Sequence, residues 1–152
     1  MIDQTYRIIS KINRQIVITA FAWVGLIVSA YLWYEYAQPH PIGCTLTNCQ
    51  AVRASAYSKI FGIDMPIFGF FYYLPMVAYL GYLIFKKKNF IKNIAERKIF
   101  VVYAAIGFVF SMYLTYLEAF VIDAFCQWCL ISAFAATMVF LNSFLWYRKF
   151  TY

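Results

Sequence analysis

Ala124–Tyr147, AFCQWCLISAFAATMVFLNSFLWY, runs for 24 residues without an Asp, Glu, Lys or Arg and opens on a Cys-x-x-Cys. Three similar runs precede it: Gln15–Tyr34, Met65–Phe85 and Ile99–Leu117, of 20, 21 and 19 residues. A helix of roughly 20 apolar residues crosses the hydrocarbon core of a bilayer. Lipid offers the backbone no hydrogen-bond partner, so each run must be helical. The expected architecture is an all-α membrane protein, a single domain over residues 1–152 built as a four-transmembrane-helix bundle, with spans at about 16–34, 66–85, 99–120 and 125–147.

Composition agrees. The chain is 64% hydrophobic and 12% charged, where a soluble domain is about half apolar and a quarter charged. The first run is too long for the apolar region of a cleaved signal peptide, and no small-residue cleavage site follows it, so it is expected to stay as a span. The net charge of +7 is unevenly distributed. Arg7, Lys11 and Arg14 precede the first span, Lys86, Lys87, Lys88, Lys92, Arg97 and Lys98 lie between the second and third, and Arg148 and Lys149 follow the fourth. Only Arg53 and Lys59 fall elsewhere. Lys and Arg collect on the cytoplasmic side. Both termini and the 86–98 loop are therefore expected in the cytoplasm of a multi-pass cell (inner) membrane protein, with the cysteines at the periplasmic or extracellular face. The basic excess reads as topology and contact with anionic lipid, not as a nucleic-acid site. No charge lies inside the four runs, which argues against an ion or proton pathway.

The first span ends in an aromatic cluster, Tyr31, Trp33, Tyr34 and Tyr36, suited to the headgroup level. The outer segment at about 35–65 opens irregularly through Pro39 and Pro41. From Gln50 to Phe61 the pattern turns helical, with Val52, Ala56 and Ile60 on one stripe, which predicts a short surface helix ended by Gly62. Pro66 suits the first turn of the second span, and Pro75 is predicted to kink it.

The four cysteines form two spaced pairs, Cys44-x4-Cys49 and Cys126-x-x-Cys129. On a non-cytoplasmic face disulfides form and persist. A Cys-x-x-Cys at a helix N-terminus gains thiolate stabilisation from the free N–H groups and the helix dipole, and thiolate is the attacking species in thiol–disulfide exchange. The competing readings are passive disulfides, buried thiols and a zinc site. Zinc is the least favoured of these, because it needs all four cysteines to converge as ligands on one ion. Four cysteines allow three pairings, and the spacing leaves them open. A pairing that changes during turnover, with Cys49 attacking a Cys126–Cys129 bridge, would carry two electrons from outside the membrane to its edge.

This arrangement resembles the vitamin K epoxide reductase family. The matching features are the loop cysteine pair after the first span, Ser55 six residues beyond Cys49, the run Tyr57…Phe61-Gly62-Ile63…Pro66…Gly69, and the Cys126-x-x-Cys129 that opens the last helix. The resemblance implies a membrane thiol–disulfide oxidoreductase. Cys129 would face a quinone (ubiquinone or menaquinone) bound between the helices and react with it. Cys126 would exchange with Cys49, and Cys44 would form the mixed disulfide with a thioredoxin-like or DsbA-like partner, so that quinone drives disulfide formation in exported proteins. Ser55 would help set the loop by hydrogen bonding. No metal is implied. Many bacterial members carry a fused thioredoxin-like domain; this chain stops at Tyr152, so the partner is expected to be a separate protein. Animal members carry a tyrosine where this chain has Ala133, which makes vitamin K epoxide a doubtful substrate.

A flat apolar acceptor needs an aromatic slot with a few polar groups. Phe70 and Tyr73 on the second span, with Tyr113 and Tyr116 on the third, lie at a suitable depth and are the candidates; no residue is assigned to hydrogen-bond the quinone carbonyl. His40 reads as exposed loop. Glu118 and Asp123 flank the short turn before Cys126 and read as solvated interfacial carboxylates, although either could tune a cysteine. Arg53 could stabilise a loop thiolate or touch headgroups. The alternative to the enzyme is a non-enzymatic four-helix membrane scaffold with structural outer disulfides. The DsbB type of oxidoreductase is disfavoured, since it carries its two cysteine pairs in the reverse order.

Overall fold

The computed structural model describes residues 2–44, 48–86 and 94–151, with side chains over 14–44, 48–86 and 94–148. Lys87, Lys88 and Lys92, and the side chains of Arg7, Lys11 and Lys149, lie outside the described residues. Four long helices carry the fold: α1 (Ile2–Ala37), α3 (Met65–Phe85), α4 (Ile94–Phe120) and α5 (Gln127–Thr151). Each contains a stretch long and apolar enough to cross a membrane, Arg14–Ala37, Met65–Phe85, Ile94–Phe120 and Gln127–Arg148. These bounds extend the charge-free runs by up to a turn or so at several ends. Charged residues such as Lys98 and Arg97 continue a helix once its apolar length has nucleated it, so a charge-free run is a lower bound on helix length. Helix α3 starts with Pro66 in its first turn and runs on through Pro75.

Round the bundle the order is α3–α1–α5–α4, because α1 packs on both α3 and α5 and α5 also packs on α4. The ring is open between α3 and α4, whose backbones stay apart. Those two helices meet through a reciprocal tyrosine pair. The Tyr72 hydroxyl donates to the Tyr103 carbonyl at 3.3 Å, the Tyr103 hydroxyl donates to the Tyr72 carbonyl at 2.7 Å, and the rings stack with centroids 4.9 Å apart. Gly107 makes room for this, since a Cβ there would overlap the Tyr72 ring. On the other side of α3, Tyr73 is buried against Gly25 of α1 and donates to the Ser132 carbonyl of α5 at 3.0 Å. One core fills the bundle around Ile18, Ala22, Met76, Leu80, Ala104 and Val139. At the basic end Arg97 of α4 lies over the Trp146 ring of α5 at 4.7 Å.

The segment between α1 and α3 departs from the helix expected over Gln50–Phe61. Helix α2 spans Cys49–Ala54 only. A 3₁₀ turn at Ala56–Ser58 follows, then a two-stranded antiparallel hairpin, β1 (Lys59–Ile60) and β2 (Ile63–Asp64). Phe61 and Gly62 form its tip, both with positive φ, and Lys59 pairs with Asp64 at 3.3 Å. The Val52, Ala56, Ile60 stripe is thus split. Val52 is buried, while Ala56 and Ile60 belong to the turn and hairpin. The stop comes early because Ser55 turns to extended backbone (φ −69, ψ 153) and its hydroxyl caps the helix by donating to the Val52 carbonyl at 2.7 Å.

The close approach at Gly25 is testable. Gly25→Val forces a branched side chain into the Tyr73 ring and should cost about 1–3 kcal/mol. Gly81→Val meets nothing within 4 Å and should stay within about 0.5 kcal/mol of the parent chain. Thermal unfolding of both variants in detergent checks the pair; equal midpoints would refute the contact.

Candidate functional site

Both cysteine pairs lie at one end of the bundle, in a second buried cluster separate from the main core. Val28 and Leu32 of α1, Ile42, Cys49 and Val52 of the loop, and Cys126 are its buried members, with Cys44, Cys129, Tyr36 and Trp128 packed against them. Cys44 and Cys49 form a disulfide, with Cα atoms 6.1 Å apart. Cys126 and Cys129 are thiols, the first 2% exposed and the second half-buried.

Main-chain contacts hold the loop on the bundle. Arg53, read from sequence as a thiolate partner or headgroup contact, binds the backbone of the loop. Its guanidinium donates to the carbonyls of Tyr36 at 3.2 Å, Gln38 at 2.6 Å and His40 at 3.0 Å, and sits over the Tyr36 ring at 5.7 Å. The Pro39–Pro41 segment leaves those carbonyls without a helical partner, and one planar, multi-donor cation takes all three. His40 is half exposed, as expected of a loop residue, with Nδ1 3.7 Å from the buried Glu35 carboxylate. Trp128, inside the Cys-x-x-Cys, donates its indole N–H to the Gly43 carbonyl at 3.0 Å and packs on Tyr31 with ring centroids 4.8 Å apart. The redox-capable end of α5 is thereby tied to the residue before Cys44.

Glu118 corrects the reading as a solvated carboxylate. It is 4% exposed, in the last turn of α4. The chain turns directly after it: Ala124 N–H donates to the Glu118 carbonyl at 3.1 Å, and Asp123 takes a left-handed conformation (φ 53), one that Asp tolerates better than most residues. That turn brings Cys126 back over the side chain, where its N–H donates to Glu118 Oε2 at 3.1 Å. Cys129, in the first turn of α5, shares a cavity wall with Glu118. Asp123 itself is exposed.

The Cys126 thiol is held below its ordinary range. The hydrogen bond from the Cys129 side chain is the largest cause, and the N–H groups of Cys129 and Trp128 at the start of α5 add to it; burial and the Glu118 charge oppose them. Helix N-termini lower thiol pKa values in this way.

Beneath the cysteines a cavity of about 270 Å³ opens between α3 and α4. Its wall is mostly apolar, with Leu32, Phe68, Phe110, Leu114 and Ile122, and it includes Cys129 and Glu118. Ser55 lines it too. Of the four aromatic candidates, Tyr73 lines it, although its hydroxyl is committed to Ser132 and only the ring is offered. Phe70 instead packs on Trp33, with tilted rings and centroids 5.3 Å apart. Tyr113 and Tyr116 are half exposed or more, on the outward face of α4. The inward face is Gly107, Ser111, Thr115 and Glu118, a stripe of small and polar residues at helical spacing. That stripe is the sequence signal that marks Glu118 and that depth alone overlooks. Tyr72, at similar depth on α3, lines the cavity as well, and Tyr36 and Tyr57 reach it from α1 and the loop.

The chain matches the model of the vitamin K epoxide reductase family over residues 16–144 and belongs to that family. No curated protein matches it.

The Cys126 environment predicts a pH dependence. A lowered pKa keeps thiolate present at pH values where an ordinary thiol, near 8.5, is protonated; the thiolate is lost as pH falls through the lowered value. Cys129→Ala removes the largest stabilising contact and should move the Cys126 titration upward, whereas Cys129→Ser keeps a donor and should move it less. Ultraviolet thiolate absorbance against pH, with the Cys44–Cys49 bridge intact, measures the shift; coincident curves would refute the assignment.

Proposed function

We propose that this member of the vitamin K epoxide reductase family is a membrane thiol–disulfide oxidoreductase that passes electrons from a separate thioredoxin-like or DsbA-like protein to a quinone. The observation that carries the reading is the position of the Cys126–Cys129 pair. Cys129 stands in the wall of the cavity, and Cys126 is packed in the cluster that holds the Cys44–Cys49 bridge. One pair of thiols thus touches both a ligand space and a second cysteine pair.

The partner's thiolate attacks Cys44, breaking the Cys44–Cys49 bond and freeing Cys49 as thiolate. The partner's second thiol then takes over the mixed disulfide, so the partner leaves oxidised and Cys44 is released. Cys49 attacks Cys126 in an oxidised Cys126–Cys129 bridge, and Cys129 departs with the electron pair. Cys44 then closes on Cys49 and Cys126 leaves. The lowered pKa of Cys126 suits that departure, since a more acidic thiol leaves faster. The result is the arrangement described above, with the loop pair bridged and the inner pair reduced.

The residues present fit a quinone head group. The cavity is a little smaller than the 300–1,000 Å³ range of drug-sized sites, apolar with few polar groups. The gap between α3 and α4 leaves a way out into lipid for an apolar tail. When bound, a quinone supplies a sink for two electrons and two protons. The chain's part is to hold the ring beside Cys129, with the Tyr73 ring behind and the serine and tyrosine hydroxyls around it, and to keep bulk water from the thiol. Ser55 helps set the loop by capping α2 at the cavity edge. The asymmetry of basic residues supports cytoplasmic termini and cysteines on the periplasmic or extracellular face, where partners that fold exported proteins are found.

The test is purified protein with ubiquinone or menaquinone and a reduced thioredoxin-like protein, following quinol formation. Cys126→Ala and Cys129→Ala should each abolish it, a loss of at least about 10³-fold for removal of a nucleophile. Cys49→Ala should accumulate a mixed disulfide between Cys44 and the partner. Quinol formation that survives in Cys129→Ala would sink the relay. Absence of any trapped partner would favour the scaffold role, in which the outer bridge is only a staple.

A further inference from the structure

Glu118 is not used by the exchange steps above. Among the described residues it is the only charged side chain in the cavity wall, and it is almost fully buried. The titratable groups that face the same space are Cys129 at the start of α5, Tyr36 of α1, Tyr57 of the loop, and Tyr72 and Tyr73 of α3, with Cys126 reaching Glu118 through its N–H. None of these is a cation. The nearby charges are engaged elsewhere: Arg53 on loop carbonyls, Lys59 with Asp64, and Glu35 beside His40. Burying a carboxyl without a counter-charge is costly, and one N–H bond satisfies only part of its accepting capacity. Structural need alone gives no reason for an acid here. Holding the turn over Cys126 requires only an acceptor oxygen, which an amide would supply. What distinguishes an acid is that it can take and return a proton, and the Cys129 thiol lines the same cavity wall, one helical turn from the N–H that Glu118 holds.

We propose that Glu118 is the proton acceptor for Cys129. As the Cys129 sulfur turns nucleophile, its S–H bond breaks and an O–H bond forms on the Glu118 carboxylate. This deepens the relay reading and rests on it for the identity of the electron acceptor. In becoming a disulfide, the Cys126–Cys129 dithiol gives up two electrons and two protons, and a quinone-class acceptor takes both electrons. The proton held by Glu118 passes to one oxygen of that acceptor. The proton that Cys126 releases to water, on forming its thiolate, balances the second oxygen. Glu118 ends as carboxylate, ready for the next thiol.

The decisive experiment needs neither quinone nor partner. In a Cys126→Ser chain with the Cys44–Cys49 bridge intact, Cys129 is the only thiol. Its alkylation by N-ethylmaleimide is followed by mass spectrometry against pH. With Glu118 in place the rate should level off through neutral pH, because the carboxylate takes the proton. Glu118→Gln keeps an oxygen for the N–H at position 126 but cannot accept the proton. The rate at neutral pH should fall about 100-fold, the lower end of a general-base contribution, and should rise in proportion to hydroxide. Glu118→Asp should recover most of the loss. If Glu118→Gln alkylates as fast as the parent with the same pH profile, the proposal is overturned and Glu118 only positions the turn. The same follows if only Glu118→Ala is slow. Quinol formation, measured in parallel on the chain with all four cysteines, judges the relay separately: its absence would reject the relay while the alkylation profile still decides the role of Glu118.

Discussion

Every peptide group in a long apolar segment has to find its hydrogen-bond partner within the segment, and this constraint arranges the rest of the molecule. Four such segments become four helices, and little else can occupy their length. Among the described residues, the irregular backbone between helices is confined to the loop between α1 and α3 and the turn between α4 and α5. Both lie at the same end, and all four cysteines are there. Among the described residues, the cysteines stand where the backbone leaves the helices at that end.

Leaving the helix frees carbonyls and N–H groups, and the side chains at that end answer them individually. Arg53 collects three loop carbonyls, Trp128 takes the Gly43 carbonyl, Ser55 closes α2, and Glu118 takes the Cys126 N–H. Two of these bonds, Trp128 to Gly43 and Cys126 to Glu118, fix a cysteine or its immediate neighbour. The same contacts that satisfy the backbone bring a bridged pair and a reduced pair into one buried cluster. The ring of helices left open between α3 and α4 then supplies the space below.

Much of this could be read from sequence because it rests on one-dimensional signals. The charge-free runs locate four helices, and two pairs of cysteines with a Cys-x-x-Cys at a helix start define the reactive end. What could not be read depends on which face of an element turns inward. Tyr113 and Tyr116 have the right depth but the wrong face of α4, and Phe70 finds Trp33 rather than the cavity. Glu118, beside a short outer turn, reads as a solvated interfacial carboxylate, whereas the turn through Asp123 folds the chain back and buries it. The expected helix to Phe61 failed because a periodic stripe carries no information about a cap, and Ser55 stops α2 two turns earlier.

The Arg53 clasp bears on how such a protein can change over evolutionary time. Its three bonds all go to main-chain oxygens, so it recognises the path of the loop and not the identity of residues 38 and 40. The side chains of Pro39, His40 and Pro41 face outward at the surface a docking protein would meet. Substitutions there can remodel that surface while the cysteines keep their places. Sequence change at this surface can therefore proceed independently of the cysteine cluster, with one arginine insulating the two.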